Sequence, residues 1–426
     1  MKSYFLAVLL LISASRAGCE KTKYYLGDNI SFPATMQAKL DTHADIISLG
    51  INPEWLRKAQ IDPDAYISAI DKTATAVVEG RIPGAVIYAD RLQQTTMPIA
   101  VGSMMTDPQK RPTSAEMIYD IHDLTGALLT VPLALSAIDE GKLTRKTTLG
   151  ELFPKLKAPQ AAITIEDLLN HRSGFVEAED LFGKAKTPDE IWQRIRDAKL
   201  KGKPGDRIIV SDVNYFLLAR AIEKVQGEPF STTVQRDIFA FLGMGSALLG
   251  DVGDRRQLIA PGRYSNSLRR MVWAEQEGAL AGAFGAEAGH AGAYCSADDL
   301  SGEARALLAL AALNPSTETT TSTLALALLP RGGEPVSMGF RHGRFGARSF
   351  GWDSPAGSSF WVLPEAMGFI IFLSNADHPN GNRKPGDPDV RDEALPLLAR
   401  SLGWKGDGVD TGPQGADSSS PPRMSP

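Results

Sequence analysis

The position of the strand-like segments constrains this chain more than any other feature. RIPGAVIYAD (81–90) lies near the start of the body, and SSFWVLP (358–364) and GFIIFLSN (368–375) lie near its end. Each is a short run rich in β-branched or aromatic residues, bounded by Gly, Pro, Ser or Asn. A second strand is expected near 97–102. Between these ends the pattern is mostly helical. Over 123–141, Leu124, Leu128, Val131, Leu135 and Ile138 recur in steps of four, three, four and three, which is one face of a helix. Gly141 is its expected stop, and Pro132 inside it is expected to kink it. Further helices are expected over 65–79, 165–170, 187–198, 212–226, 304–313 and 390–402. Strands at both ends with helices between predict an α+β domain whose terminal strands share one antiparallel sheet.

Residues 1–19 read as a secretory signal. Lys2 precedes an unbroken apolar run from Phe5 to Ile12, followed by Ser13, Ala14 and Ser15 and then Ala17-Gly18-Cys19. The run is too short to span a bilayer. Cys19 is placed as in a bacterial lipoprotein site, where it would be acylated; Arg16 departs from that pattern, and simple secretion is the alternative. The expected location is the periplasm or cell envelope, with membrane contact only through that N-terminal lipid anchor. Residues 20–62 read as an exported linker with a short lead-in helix, 63–404 as one domain, and 405–426, rich in Gly, Asp, Ser and Pro, as a disordered tail.

The formal net charge of −5 carries no basic excess, so nucleic acid is not an expected partner. Arg194, Arg196, Lys199, Lys201 and Lys203 are interrupted by Asp197 and read as a solvated helix face and turn. With only Cys19 and Cys295 in the chain, an intramolecular disulfide is not expected once Cys19 is acylated or removed. Cys295 reads as a small buried hydrophobe.

Seven stretches, in order, resemble the β-lactamase-related serine hydrolases, which include class C β-lactamases, D,D-peptidases and family esterases. They are RIPGAVIYAD, YDIHDLTGALLTVPLALSAIDEGKL (119–143), ITIEDLLNHRSGF (163–175), PGDRIIVSDVNYFLLARAIEKVQGEPF (204–230), FLGM (241–244), GHAGAYCSADDL (289–300) and FGWDSPAGSSFWVLP (350–364). Together they span nearly all of 65–402. The resemblance implies a β-lactamase/penicillin-binding-protein-like fold, with an antiparallel sheet flanked by helices and a helical lobe.

The same resemblance implies a lost active site. The family's nucleophile helix opens on Ser-x-x-Lys, a spacing that puts hydroxyl and amine on one helix face so that the amine can help remove the serine proton. Here Asp123 stands at the serine and Gly126 at the lysine. The tyrosine of Tyr-Ser-Asn falls on Val210, leaving Ser211 and Asn214 from that loop. The edge-strand Lys/His-Thr-Gly element falls on Trp352, Asp353 and Ser354. Losing one member of such a cooperating set costs roughly 10⁴- to 10⁶-fold in rate, and further losses add little. No shift of the alignment restores the set: no serine precedes a lysine by three positions, and Lys-Thr-Gly, Lys-Ser-Gly and Gly-x-Ser-x-Gly are all absent.

Three readings follow. The first is a catalytically inactive envelope protein that binds a peptide, a peptidoglycan fragment or a protein partner in a pocket formed by His122, Asp123, Ser211, Asn214, His290 and Trp352, its floor enlarged by the Lys-to-Gly change. The second is an active hydrolase using a non-standard site such as the Asp120–His122–Asp123 cluster. The third is a structural surface lipoprotein whose cleft Trp352 fills. No cofactor or metal is expected: the Asp/His spacing matches no familiar zinc motif, and Asp120 reads as a helix cap. His171 and Ser173 read as parts of a structural turn.

Overall fold

The computed structural model describes residues 53–406, apart from 92–95, 266–268, 313–321, 331–333, 335 and 381–387. The signal segment with Cys19, the linker up to residue 52 and the tail beyond 406 lie outside the described residues.

The terminal strands do meet. In the main sheet the strand order is β3-β2-β1-β13-β12-β11-β10-β9. Here β1 is Gly84–Arg91, β2 Ile99–Met105 and β3 Arg111–Pro112; the far half is β9 Val336–Ser337, β10 Phe340–His342, β11 Phe350–Asp353, β12 Ser359–Leu363 and β13 Gly368–Ser374. β1 and β13 run antiparallel from Ala85↔Ser374 to Arg91↔Gly368. The unbroken apolar run of β13 follows from its central place, since all seven of its residues are buried. Short strands β4 (Tyr119–Asp120) and β5 (Leu248–Leu249) flank β8 (Ala293–Cys295) in a small second sheet, and β6 (Tyr264–Ser265) pairs with β7 (Arg270–Met271). β8 is too short for its sequence to announce it.

Nine helices carry the argument: α1 Pro53–Lys58, α2 Pro63–Val78, α3 Val131–Asp139, α4 Ile165–Leu169, α5 Ala178–Phe182, α6 Pro188–Asp197, α7 Asp212–Gln226, α8 Ala297–Ala312 and α9 Val390–Ser401. α2 and α9 cover one face of the sheet, where Ile67, Ile70, Leu395 and Leu398 pack with Ile87, Ile370 and Phe372. The Asp62 N–H donates to the Ser401 carbonyl at 2.8 Å, tying the start of the body to its end. The other face packs on α8 and on a helical lobe built around α3, α4 and α7. Asp123 and Trp352 meet between that lobe and β11.

One helix departs from expectation. The segment ahead of α3 is wound more widely over Gly126–Thr130, and the Val131 N–H reaches back five residues to the Gly126 carbonyl. Pro132 follows directly. It has no N–H and its ring would press on a carbonyl four residues earlier, so the widened turn takes the place of a sharp kink. Gly141 ends the segment as expected, at φ +71°.

Candidate functional site

Asp123 sits in the turn between β4 and the wide helical segment. Its neighbour Asp120 does not cap the helix. It lies in β4, where Oδ1 accepts the His122 N–H at 2.8 Å and Oδ2 accepts Gln276 Nε2–H at 2.7 Å. Asp120 therefore braces the turn that presents Asp123. His122 takes the left-handed backbone there (φ +47°) and leaves its side chain 45% exposed, 3.8 Å from Asp120.

The site is closed by aromatic rings. The Trp352 indole N–H donates to Asp123 Oδ2 at 2.9 Å, and Trp352 is 1% exposed. His171 stacks on its ring at 5.9 Å and 26°, Tyr215 meets it edge-on at 6.1 Å, and the Arg341 guanidinium lies 4.9 Å from its centroid. The enlarged floor expected at Gly126 is absent. A Cβ built on Gly126 would stand 2.4 Å from Cδ2 and 2.5 Å from Cγ of Tyr215. The space beside Gly126 is thus occupied by the Tyr215 ring.

A buried polar cluster supports this plug. Ser211 caps α7, its Oγ accepting the Val213 N–H at 3.2 Å and donating to the Val176 carbonyl at 2.7 Å. Asn214 donates through Nδ2 to His171 Nδ1 at 3.0 Å, and the Ser211 N–H reaches the same nitrogen at 3.3 Å. With Nδ1 accepting twice, the His171 proton sits on Nε2, which is buried without a hydrogen-bond partner. Ser173 donates to Asn214 Oδ1 and completes the cluster. Val210 is half-buried and packs against the main core.

The edge-strand element divides across the sheet. Trp352 and Ser354 turn towards Asp123. Asp353 instead pairs with Arg344 and accepts from Ser359 Oγ at 2.6 Å and Trp361 Nε1–H at 2.9 Å. Trp361 belongs to the α2/α9 side, so Asp353 is removed from the pocket by strand alternation.

Electrostatics at the site run towards neutral groups. As a residue Asp123 is half-buried, but its Oδ1 is buried and has no hydrogen-bond partner. Burial raises the Asp123 carboxyl above its ordinary range; the Ser354 hydroxyl, Trp352 N–H and His122 oppose this, and Asp212 adds to it. Asp212 is pushed up to about 6 by burial and by Glu179, and Glu177 to about 7 by burial, Asp212, Asp180 and Glu179. Burial lowers His171 to about 3, with Arg341 adding to it, and lowers His290 to about 4. Burial holds the Cys295 thiol well above its usual range, which is the opposite of what a thiolate nucleophile needs. Among the described residues no three His, Cys, Asp or Glu side chains are grouped to hold a metal ion.

The structure brings Asp123 and Trp352 together by a hydrogen bond, and the Tyr215 ring lies against both Gly126 and Trp352. Sequence reasoning did not find Tyr215 or Arg341, and it set His171 aside. Tyr215 sits within the apolar run of α7 and reads as core; Arg341 stands in a three-residue strand with no motif around it.

The Beta-lactamase family model matches residues 67–395. A protein of Escherichia coli (strain K12) named "Putative D-alanyl-D-alanine carboxypeptidase" is 25% identical over 225 residues, covering 46% of this chain and 51% of that protein. "Putative fimbrial assembly protein FimD, serogroup D" of Dichelobacter nodosus is 35% identical over 132 residues, 29% of this chain and 33% of that one. The chain thus spans between a third and a half of these curated relatives. Among solved structures, "EstCE1, a hydrolase with promiscuous acyltransferase activity" has a TM-score of 0.61 at 17% identity, covering 83% of this chain and 99% of its own. The octameric penicillin-binding protein homologue from Pyrococcus abyssi has a TM-score of 0.59 at 19% identity, covering 77% and 76%. These likenesses carry the fold, and the family match covers most of the body: the chain belongs to the beta-lactamase family.

Proposed function

We propose that this chain is a non-acylating member of its family, an exported envelope protein whose scaffold serves a structural or partner-holding role with its former cleft filled from within. One observation carries the reading: the Tyr215 ring occupies the space at Gly126, and Trp352 is hydrogen-bonded to Asp123 over it. Acyl transfer by the family's route requires a hydroxyl at 123, a base at 126 and an opening for substrate. Asp123 attack would give an anhydride and not a stable acyl-ester, and Gly126 has no group to move a proton. A filled cleft favours the structural role over a muropeptide bound in the pocket; a peptide or protein partner would then engage the outer surface. Export and lipid anchoring rest on residues 1–19 and on Cys19.

The test is intact mass after exposure to penicillin, a cephalosporin and an activated acyl ester. The unmodified mass is expected throughout. A stoichiometric adduct on the wild-type chain would refute the proposal, whichever residue carried it.

A further inference from the structure

Several enclosed carboxylates in this chain meet a cation at ion-pair distance: Asp353 has Arg344, Asp237 has Arg236 and Asp389 has Arg391. One group of acids does not. It lies where the segment leading into α5 meets the start of α7. The Ser211 hydroxyl donates to the Val176 carbonyl at 2.7 Å, which sets Glu177 beside Asp212. Glu179 and Asp180 follow in the first turn of α5, and Asp212 opens α7. Among the described residues, none of these four carboxylates is given a hydrogen bond or an ion pair.

The four are graded in depth. Glu177, Glu179 and Asp180 are exposed residues, whereas Asp212 is half-buried and its carboxyl is almost wholly enclosed. Asp123, whose Oδ1 is also buried without a hydrogen-bond partner, feels the Asp212 charge. Glu179 repels Asp212, and Asp212, Asp180 and Glu179 repel Glu177. His122 acts favourably on Asp212, and Lys201 on Glu177, both from beyond ion-pair distance.

Acids do favour helix starts, where free N–H groups carry partial positive charge. That effect would lower a carboxyl. Here Asp212 is pushed up to about 6 and Glu177 to about 7, by burial first and like charge next. Four acids around two helix starts, one helix only five residues long, exceed what those starts need. Perturbed acids gathered in this way mark binding and catalytic sites.

We propose that Asp212, Glu177, Glu179 and Asp180 form a binding site for an organic cation, the ammonium or guanidinium group of a basic side chain or of a free amine. This gives the chemistry of the partner in the partner-holding reading above and rests on that reading.

A metal ion does not fit. It needs oxygen ligands converging at about 2.0–2.6 Å, and among the described residues no three His, Cys, Asp or Glu side chains are so grouped. An ammonium or guanidinium spreads several N–H donors around a larger centre, so it satisfies carboxylates set further apart. The gradient in depth suits such a ligand. The exposed acids draw it in, and Asp212 exchanges an enclosed, unpaired charge for a paired one. Binding requires charged carboxylates, so it strengthens as pH rises through the range in which Asp212 and Glu177 ionise. A protonated His122 weakens it further at the acid end.

The experiment is isothermal titration calorimetry on the whole exported chain at pH 5 and pH 7.5 in low salt. The probes are acetyl-Gly-Arg-Gly-amide, 1,5-diaminopentane and the uncharged acetyl-Gly-Gln-Gly-amide. Saturable binding is expected for a cationic probe and none for the uncharged one; preference for the peptide identifies a basic segment, and preference for the diamine a free amine. Ionisation of Asp212 alone should raise the affinity about tenfold between the two pH values. Asp212→Asn and Glu177→Gln should each weaken binding by about tenfold or more. Glu79→Gln makes the same charge change at the end of α2, on the other face of the sheet, and should leave binding unchanged. Both site variants remove repulsion, and Glu177 is exposed, so Glu177→Gln carries the test should Asp212→Asn fail to fold.

The site is overturned if neither cation binds saturably, if the uncharged peptide binds equally, if the affinity is flat with pH, or if Glu79→Gln loses as much as the site variants. An acyl adduct in the mass experiment would remove the non-acylating reading and leave this binding intact. Absence of binding would remove the cation site and leave that reading standing.

Discussion

Gly126 and Tyr215 offer a two-residue test of the idea that the cleft is filled from within. Gly126 lies in helical backbone, where alanine is ordinarily better by about 1 kcal/mol. The three atoms nearest a methyl group there all belong to one ring, with Tyr215 Cδ2, Cγ and Cε2 standing 2.4, 2.5 and 2.8 Å from the Cβ position. Ordinary carbon contacts need about 3.5–4.0 Å, so ring and helix must part by roughly an ångström. Overpacking of that kind costs about 1–3 kcal/mol. Gly126→Ala should therefore destabilise the wild-type chain. In a Tyr215→Leu background, itself weakened by loss of the ring, the same Gly126→Ala change should become neutral or stabilising by up to about 1 kcal/mol. The coupling energy of the cycle is then about 1–4 kcal/mol in favour of the pair. Urea unfolding of the four proteins, read as Cm at constant m, measures it. Additive single changes would refute the claim that the ring fills the lysine's place. The same geometry means that restoring Ser, Lys and Tyr at 123, 126 and 210 should not restore acylation unless Tyr215 and Trp352 are also cut back, which the acyl-ester mass assay checks.

Two further outcomes concern stability. Trp352→Ala removes a fully packed ring and should cost about 3–5 kcal/mol, whereas Trp352→Phe keeps most of the volume, loses the bond to Asp123 and should cost about 1–3 kcal/mol; equal costs would mean the hydrogen bond dominates. Glu303 in α8 is 3% exposed, and burial alone holds its carboxyl well above its ordinary range. The unfolded chain ionises Glu303 near pH 4.5 while the folded chain keeps it neutral, so above that pH the folded state binds more protons and stability falls by about 1.4 kcal/mol per pH unit until the folded carboxyl ionises. Glu303→Gln should match the wild type near pH 4 and exceed it increasingly towards pH 7 in urea melts; parallel curves would mean that the carboxyl is not held neutral.

The fold was legible where one residue pattern had one reading. β12 and β13 were expected as paired strands and are, β1 closes on β13, and α7 runs over the very residues its spacing gave. What the sequence could not supply was made by contacts between distant residues. β8 is a strand because β4 and β5 flank it. The wide turn at Gly126–Thr130 answers to Pro132, for which a kink was the simpler expectation. At the site, the residues standing at the family's motif positions could be named from the resemblance, because each is local to one position. What packs around them could not. Gly126 looks like a vacancy until Tyr215, far along the chain, is placed in it. Trp352 and Asp353 are neighbours in sequence, yet strand alternation sends one to the cleft and the other to the far side.

The pairing of β1 with β13 has a consequence for how such a chain can be made. Ala85 and Ser374 are opposite one another at the heart of the sheet, and α2 closes against α9. Neither half can shelter its apolar strands until the last helix has been synthesised, because loop closure over nearly the whole body must come before those contacts form. During translation β1 can pair with β2, while its other edge and the apolar face of α2 wait for β13 and α9. Release of the C-terminal helix is then the event that commits it to a single shape.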